Sequence, residues 1–144
     1  MAMITARRTA VATLLLIMLR VVYVMANPAP ACLPDKAVPV PFEHVPSILL
    51  SSLRDRLGEI AAPGASFNAT DVVWFENAPQ RRFMFFWTAG RRWVIATERG
   101  GFSHYNPIFL YELGDDERKA DLITEKDASS NTACAVALEL IAAP

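Results

Sequence analysis

The chain has 144 residues, 53% hydrophobic and 20% charged, with a formal charge of −1. That suits one packed domain and excludes a disordered or strongly charged polypeptide. Three of its 14 basic residues, Arg7, Arg8 and Arg20, lie in the first 26 positions, so the remainder is about four charges acidic and gives no electrostatic ground for nucleic acid or anionic lipid as a partner.

Residues 1–26 read as a signal peptide. Arg7-Arg8 close a short basic region, and Thr9 to Leu19 is an unbroken apolar run. That run falls well short of the ~20 residues that span a bilayer, and Arg20 in the middle of a longer helix would cost about 2.5–3.5 kcal/mol. Val24-Met25-Ala26 places small residues for cleavage before Asn27. Ala29-Pro30-Ala31 before Cys32 offers a second, lipoprotein-like site, and an uncleaved segment would leave an anchor. The expected address is periplasmic or extracellular, with membrane contact only through an uncleaved signal segment.

Two cysteines, Cys32 and Cys134, are expected to pair in an oxidising compartment. The bridge would close a loop of roughly 100 residues, worth up to ~4.7 kcal/mol by chain entropy. These cysteines and two histidines, His44 and His104, do not have the spacing of a zinc site, so no metal and no cofactor is expected.

Residues 27–46 carry six prolines and read as an extended lead. Ser47 is the expected N-cap of an amphipathic helix whose stripe is Leu49, Leu53, Leu57 and Ile60, stopped by Pro63-Gly64. From Asp71 the period becomes two. Strands are expected over 71–76, 81–88, 91–98, 102–113 (with Pro107 a break or bulge) and 119–124. Turns are expected at 77–80, Ala89-Gly90, Gly100-Gly101 and 114–116. Residues 133–142 predict a short C-terminal helix, although alternating Cys134, Val136, Leu138 and Leu140 also fit a strand. The fold class is therefore α+β. An N-terminal amphipathic helix is followed by an antiparallel β-meander of about five strands and a short C-terminal helix. The segments are 1–26 signal peptide, 27–46 lead and 47–144 a single domain.

A two-residue Ala89-Gly90 turn places Phe86 opposite Trp93, Trp87 opposite Arg92 and Arg81 opposite Glu98. One face then shows Phe83, Phe85, Trp87 and Val94, the other Met84, Phe86, Trp93 and Ile95. Both are apolar, so both need a cover. One helix covers one face. The C-terminal helix and the lead cover the other, unless an aromatic surface is left open for binding.

His104 is the main catalytic candidate. Glu98, Arg99 and Tyr105 lie near it, a set of the kind small secreted ribonucleases use on antiparallel sheets: a carboxylate base, an arginine for the phosphorane and a histidine acid. A two-residue Gly100-Gly101 turn would point Glu98 and His104 to opposite faces. No nucleophile elbow and no phosphate loop is present. Asn68-Ala69-Thr70 matches a glycosylation sequon.

The expected function is a non-enzymatic exported module that binds a protein or a small apolar ligand, and no nucleic acid. Its candidate face is Phe83, Phe85, Trp87, Tyr105, Phe109 and Tyr111. The alternatives are a secreted hydrolase using His104 with Glu98 or Arg82, and a membrane-anchored structural protein of the envelope. Helix-then-meander order is similar to that of small exported inhibitor and binding domains, a likeness of fold alone.

Overall fold

A computed structural model of the chain describes residues 37–70, 72, 76–101 and 105–143, all within the compact unit Cys32–Pro144. Five antiparallel strands stand side by side in chain order: β1 (Val38–Pro39), β2 (Arg81–Ala89), β3 (Arg92–Arg99), β4 (Asn106–Leu113) and β5 (Ala120–Ala128). Helix α1 (Ser47–Leu57) lies on one face of this meander and α2 (Ala133–Ala142) on the other. The α+β reading and both helices hold.

The outermost strand differs from the expected one. β1 comes from the proline-rich lead: Val38 stands opposite Thr88, Pro39 opposite Trp87, and Val40 N–H donates to Phe86 O at 2.9 Å. An edge tolerates proline, which has no N–H to give. The strand expected over 71–76 lies mostly outside the described residues; Val72 and Glu76 belong to no strand. β5 runs past the expected stop at Thr124 to Ala128.

Helix α1 begins one residue earlier than expected. Ser47 is its first helical residue, Pro46 occupies the cap position, and Leu49 N–H donates to Pro46 O. It ends at Gly58, whose φ of +79° stops the helix before Ile60; a β-carbon is strained at such a φ. Leu49 and Leu53 are fully buried and Ile60 follows them into the same core from the loop.

The β2–β3 turn is Gly90-Arg91, one residue beyond the expected Ala89-Gly90. Ala89 pairs with Arg92, Thr88 with Trp93, Trp87 with Val94 and Phe86 with Ile95. Gly90, with φ +64°, is the first central residue, where a type II′ turn takes glycine. Phe86 therefore does not face Trp93, and Trp87, opposite Val94 in the core, makes no cation–π contact with Arg92. Because the pairing moves by two positions in sum, most residues keep their predicted face. A bulge between Phe83 and Phe85 exchanges the rest.

The α1 face gathers Phe83, Phe86, Trp93, Ile95, Phe109, Tyr111 and Leu113 with Leu49 and Leu53. The α2 face gathers Trp87, Val94, Ala96, Ile108 and Leu110 with Ala133, Ala137, Leu140 and Ile141, and with Ala37 of the lead. Small alanines on α2, Ala133 and Ala137, share this layer with the large Trp87. Burying one large side chain is worth about 1.5–3 kcal/mol, so either layer holds the sheet strongly.

The β3–β4 connection is longer than a two-residue turn. Arg99 N–H donates to Tyr105 O, and Ala96 pairs with Ile108. Pro107 sits inside β4, opposite Asp127, without ending the strand.

Candidate functional site

The aromatic residues expected to form one binding face do not share a face. Phe83, Phe109 and Tyr111 lie in the α1 core, each at most 1% exposed. Trp87 lies in the α2 core, fully buried, with Phe85 stacked on it at 4.5 Å between centroids. Phe83 instead meets Phe86 at 5.1 Å and Phe42 at 5.7 Å. The physical reason is the bulge: one extra residue in β2 turns Phe83 away from Phe85 while both stay apolar. Tyr105, partly buried, stands just before β4.

His104 lies outside the described residues, as do Phe102 and Ser103. Glu98 is paired not with Arg81 but with Arg82: Arg82 Nε donates to Glu98 Oε1 at 2.6 Å, both side chains 28% exposed. The shifted turn and the bulge together move this contact by one residue. Arg82 also rests over the Phe67 ring at 4.4 Å and donates to Ala65 O. The Glu98 carboxylate is thus engaged across its own ladder.

On the other face, toward α1, Arg81 stands opposite Arg99, and Arg99 stands beside Tyr105. Arg81 Nη1 donates to Leu57 O at 3.1 Å, at the carbonyl end of α1, where a cation is favoured. Its Nε is buried and has no acceptor. Arg99 donates to the Tyr105 hydroxyl, and its guanidinium lies 5.5 Å from that ring's centroid. The row Arg81–Arg99–Tyr105 crosses three strands at one end of the sheet. Sequence reasoning named Arg99 only as a neighbour of His104, placed Tyr105 beside His104 and on the expected aromatic binding face, and took Arg81 for half of an ion pair. Gly90 as first turn residue was the part of the row legible in sequence; the bulge between Phe83 and Phe85, which completes the pairing of Arg81 with Arg99, had no such signal.

The same sheet end is built by a backbone contact. Gly100 N–H donates to Gln80 O at 2.9 Å and Gly101 N–H to Ala69 O at 3.2 Å, which docks the 65–70 loop on the β3–β4 connection. Asn68 is 4% exposed and its Nδ2 donates to Ala78 O at 2.9 Å. The sequon asparagine is therefore buried inside this junction and presents no open amide for a glycan.

At the opposite end Arg91 joins Glu112 at 2.6 Å and also Asp115. The hydrogen bond to Glu112, then that to Asp115, raises the guanidinium above its ordinary pKa. β5, the far edge strand, carries Asp121, Glu125, Lys126 and Asp127 along its length, and Ile123 bulges out 54% exposed. Charge and a bulge are features that keep an edge from pairing with another strand.

Cys134 lies in α2, and no cysteine among the described residues is free; its expected partner Cys32 lies outside them. Among the described residues no group of His, Cys, Asp or Glu could hold a metal ion, and no helix is long and apolar enough to cross a membrane. No family model matches the chain, and neither a curated protein nor a solved structure matches it.

Proposed function

We propose that the chain is an exported, non-enzymatic binding module that meets its partner at an end of the sheet. The observation that carries this reading is the Arg82–Glu98 contact at 2.6 Å. The carboxylate a hydrolase would use as its base is held by an arginine, on the face opposite Arg99 and Tyr105. A base works with the other groups around the reacting atoms, and Glu98, on the face opposite Arg99 and Tyr105, shares no site with them.

An apolar ligand between the layers has less support. The aromatic side chains that would line such a pocket are packed against α1 and α2. The surface that the helices leave uncovered lies at the ends of the strands and along the two edge strands, where charged groups are interrupted by exposed Val38 and Ile123.

The test is enzymatic. Purified mature protein is assayed with RNA, ester and peptide substrates beside a variant carrying His104→Ala and Glu98→Gln. Equal, background rates are expected. Turnover by the parent that the double substitution abolishes would establish the hydrolase instead.

A further inference from the structure

The antiparallel ladder contains one pair that electrostatics disfavours. Arg81 and Arg99 are directly opposite across β2 and β3. Arg81 O accepts from Ala61 N–H and Phe83 N–H donates to Ala61 O, so the backbone groups of 81 and 83 face away from β3. Arg99 N–H likewise turns to β4. The Arg81–Arg99 pair is therefore the non-hydrogen-bonded kind, in which Cα atoms approach to about 4.5 Å and side chains come closest. Like charges directly opposite destabilise a sheet.

Most of the domain's other cations are neutralised. Arg56 has Glu125, Arg82 has Glu98, Arg91 has Glu112 and Asp115, Lys119 has Asp121, and Lys126 has Glu139. Among the described residues, Arg81 and Arg99 have no carboxylate, as is true also of Arg54 and Arg92, but only Arg81 and Arg99 stand opposite each other. Their hydrogen bonds go to a neutral carbonyl and a neutral hydroxyl. Tyr105 accepts from Arg99 through its hydroxyl oxygen, which leaves its own proton to give.

We propose that Arg81, Arg99 and Tyr105 form a binding site for an oxyanion group, a phosphate or carboxylate carried by the partner of this module. Two guanidinium groups and one phenol O–H offer charge-assisted donors to the oxygens of one anion, and a guanidinium fork matches such oxygens in pairs. The bound anion cancels the repulsion across the ladder. The domain's acidic balance gives no long-range attraction for a polyanion, so the site reads a single oxyanion group. This inference rests on the reading of the chain as a binding module and names the chemistry it recognises.

The experiment is a titration of the full mature chain, followed by the NMR signals of the Arg81 and Arg99 Nε–H groups. Inorganic phosphate and acetate are added separately, against chloride at equal ionic strength. Saturable shifts at both arginines beyond those with chloride are expected. A response to phosphate alone assigns a phosphoryl-bearing ligand, and one to acetate alone a carboxylate; either supports the site. Arg99→Gln is expected to weaken binding about tenfold or more, the loss of one charged hydrogen bond, and Tyr105→Phe to weaken it less. Phosphate is also expected to raise the parent's Tm but not that of Arg99→Gln.

Arg81→Gln is left out of the anion titration because Arg81 also holds the end of α1, so a change in binding could come from that contact. If Arg99→Gln does not fold, the titration of the parent decides alone. Shifts no larger than those with chloride would overturn the site, as would equal phosphate-dependent gains in Tm for parent and variant. Anion binding together with RNA turnover would keep the site and overturn the non-enzymatic reading. Neither binding nor turnover would overturn only the site.

Discussion

The carbonyl oxygen of Asn68 lies directly over Gly100: a β-carbon on Gly100 would meet it at 1.9 Å, and backbone atoms of Ala69 at 2.8 Å. Both obstacles are main chain, so no side-chain rotation relieves them. This contact holds the 65–70 loop against the β3–β4 connection and shapes the sheet end that carries Arg99 and Tyr105.

Gly100→Ala is accordingly expected to cost about 1–3 kcal/mol by overpacking. Gly114→Ala is its control, because a β-carbon there meets nothing closer than 3.5 Å. Urea denaturation of both variants gives the comparison. Equal midpoints would mean that the loop is not docked as described.

Leu53→Asp is expected to abolish cooperative unfolding. Leu53 is fully buried among Leu49, Phe83 and Phe86 in the α1 core, where a carboxylate finds no partner. A thermal transition near that of the parent would refute this core.

A double-mutant cycle locates the β2 bulge. Arg82→Gln with Glu98→Gln is expected to show a coupling of about 0.5–1 kcal/mol, as for a half-exposed ion pair. Arg81→Gln with Glu98→Gln is expected to be additive, since the two side chains occupy opposite faces. Coupling at Arg81 and none at Arg82 would restore the unbulged register.

A Cys32–Cys134 bridge is expected in protein recovered from the export compartment. Mass spectrometry of the unreduced chain should show the linked peptides, and N-terminal sequencing should begin at Asn27. Reduction is expected to lower stability by up to ~4.7 kcal/mol, the entropy of a loop of roughly 100 residues. Two alkylatable thiols in such material would refute the pairing.

The sequence by itself determined the class of this fold. The Leu49–Leu53 spacing specified α1, the alanine- and leucine-rich stretch at 133–142 pointed to a helix while its alternation also fitted a strand, and period-two runs between turn residues specified a meander. These are local signals, because side-chain periodicity follows directly from backbone geometry. Two apolar faces also called for two covers, and the two helices supply them. Tertiary structure alone decided how the strands meet. Gly90 as first or second turn residue changes every pairing behind it, and the bulge before Phe85 changes the face of Phe83 without changing its polarity. Apolar alternation cannot detect such an exchange when both faces are buried. The lead became an edge strand because β2 offered unpaired backbone groups that only the assembled sheet presents. The opposition of Arg81 and Arg99 arises in the same way: the charges are written in the sequence, but the bulged register puts them face to face.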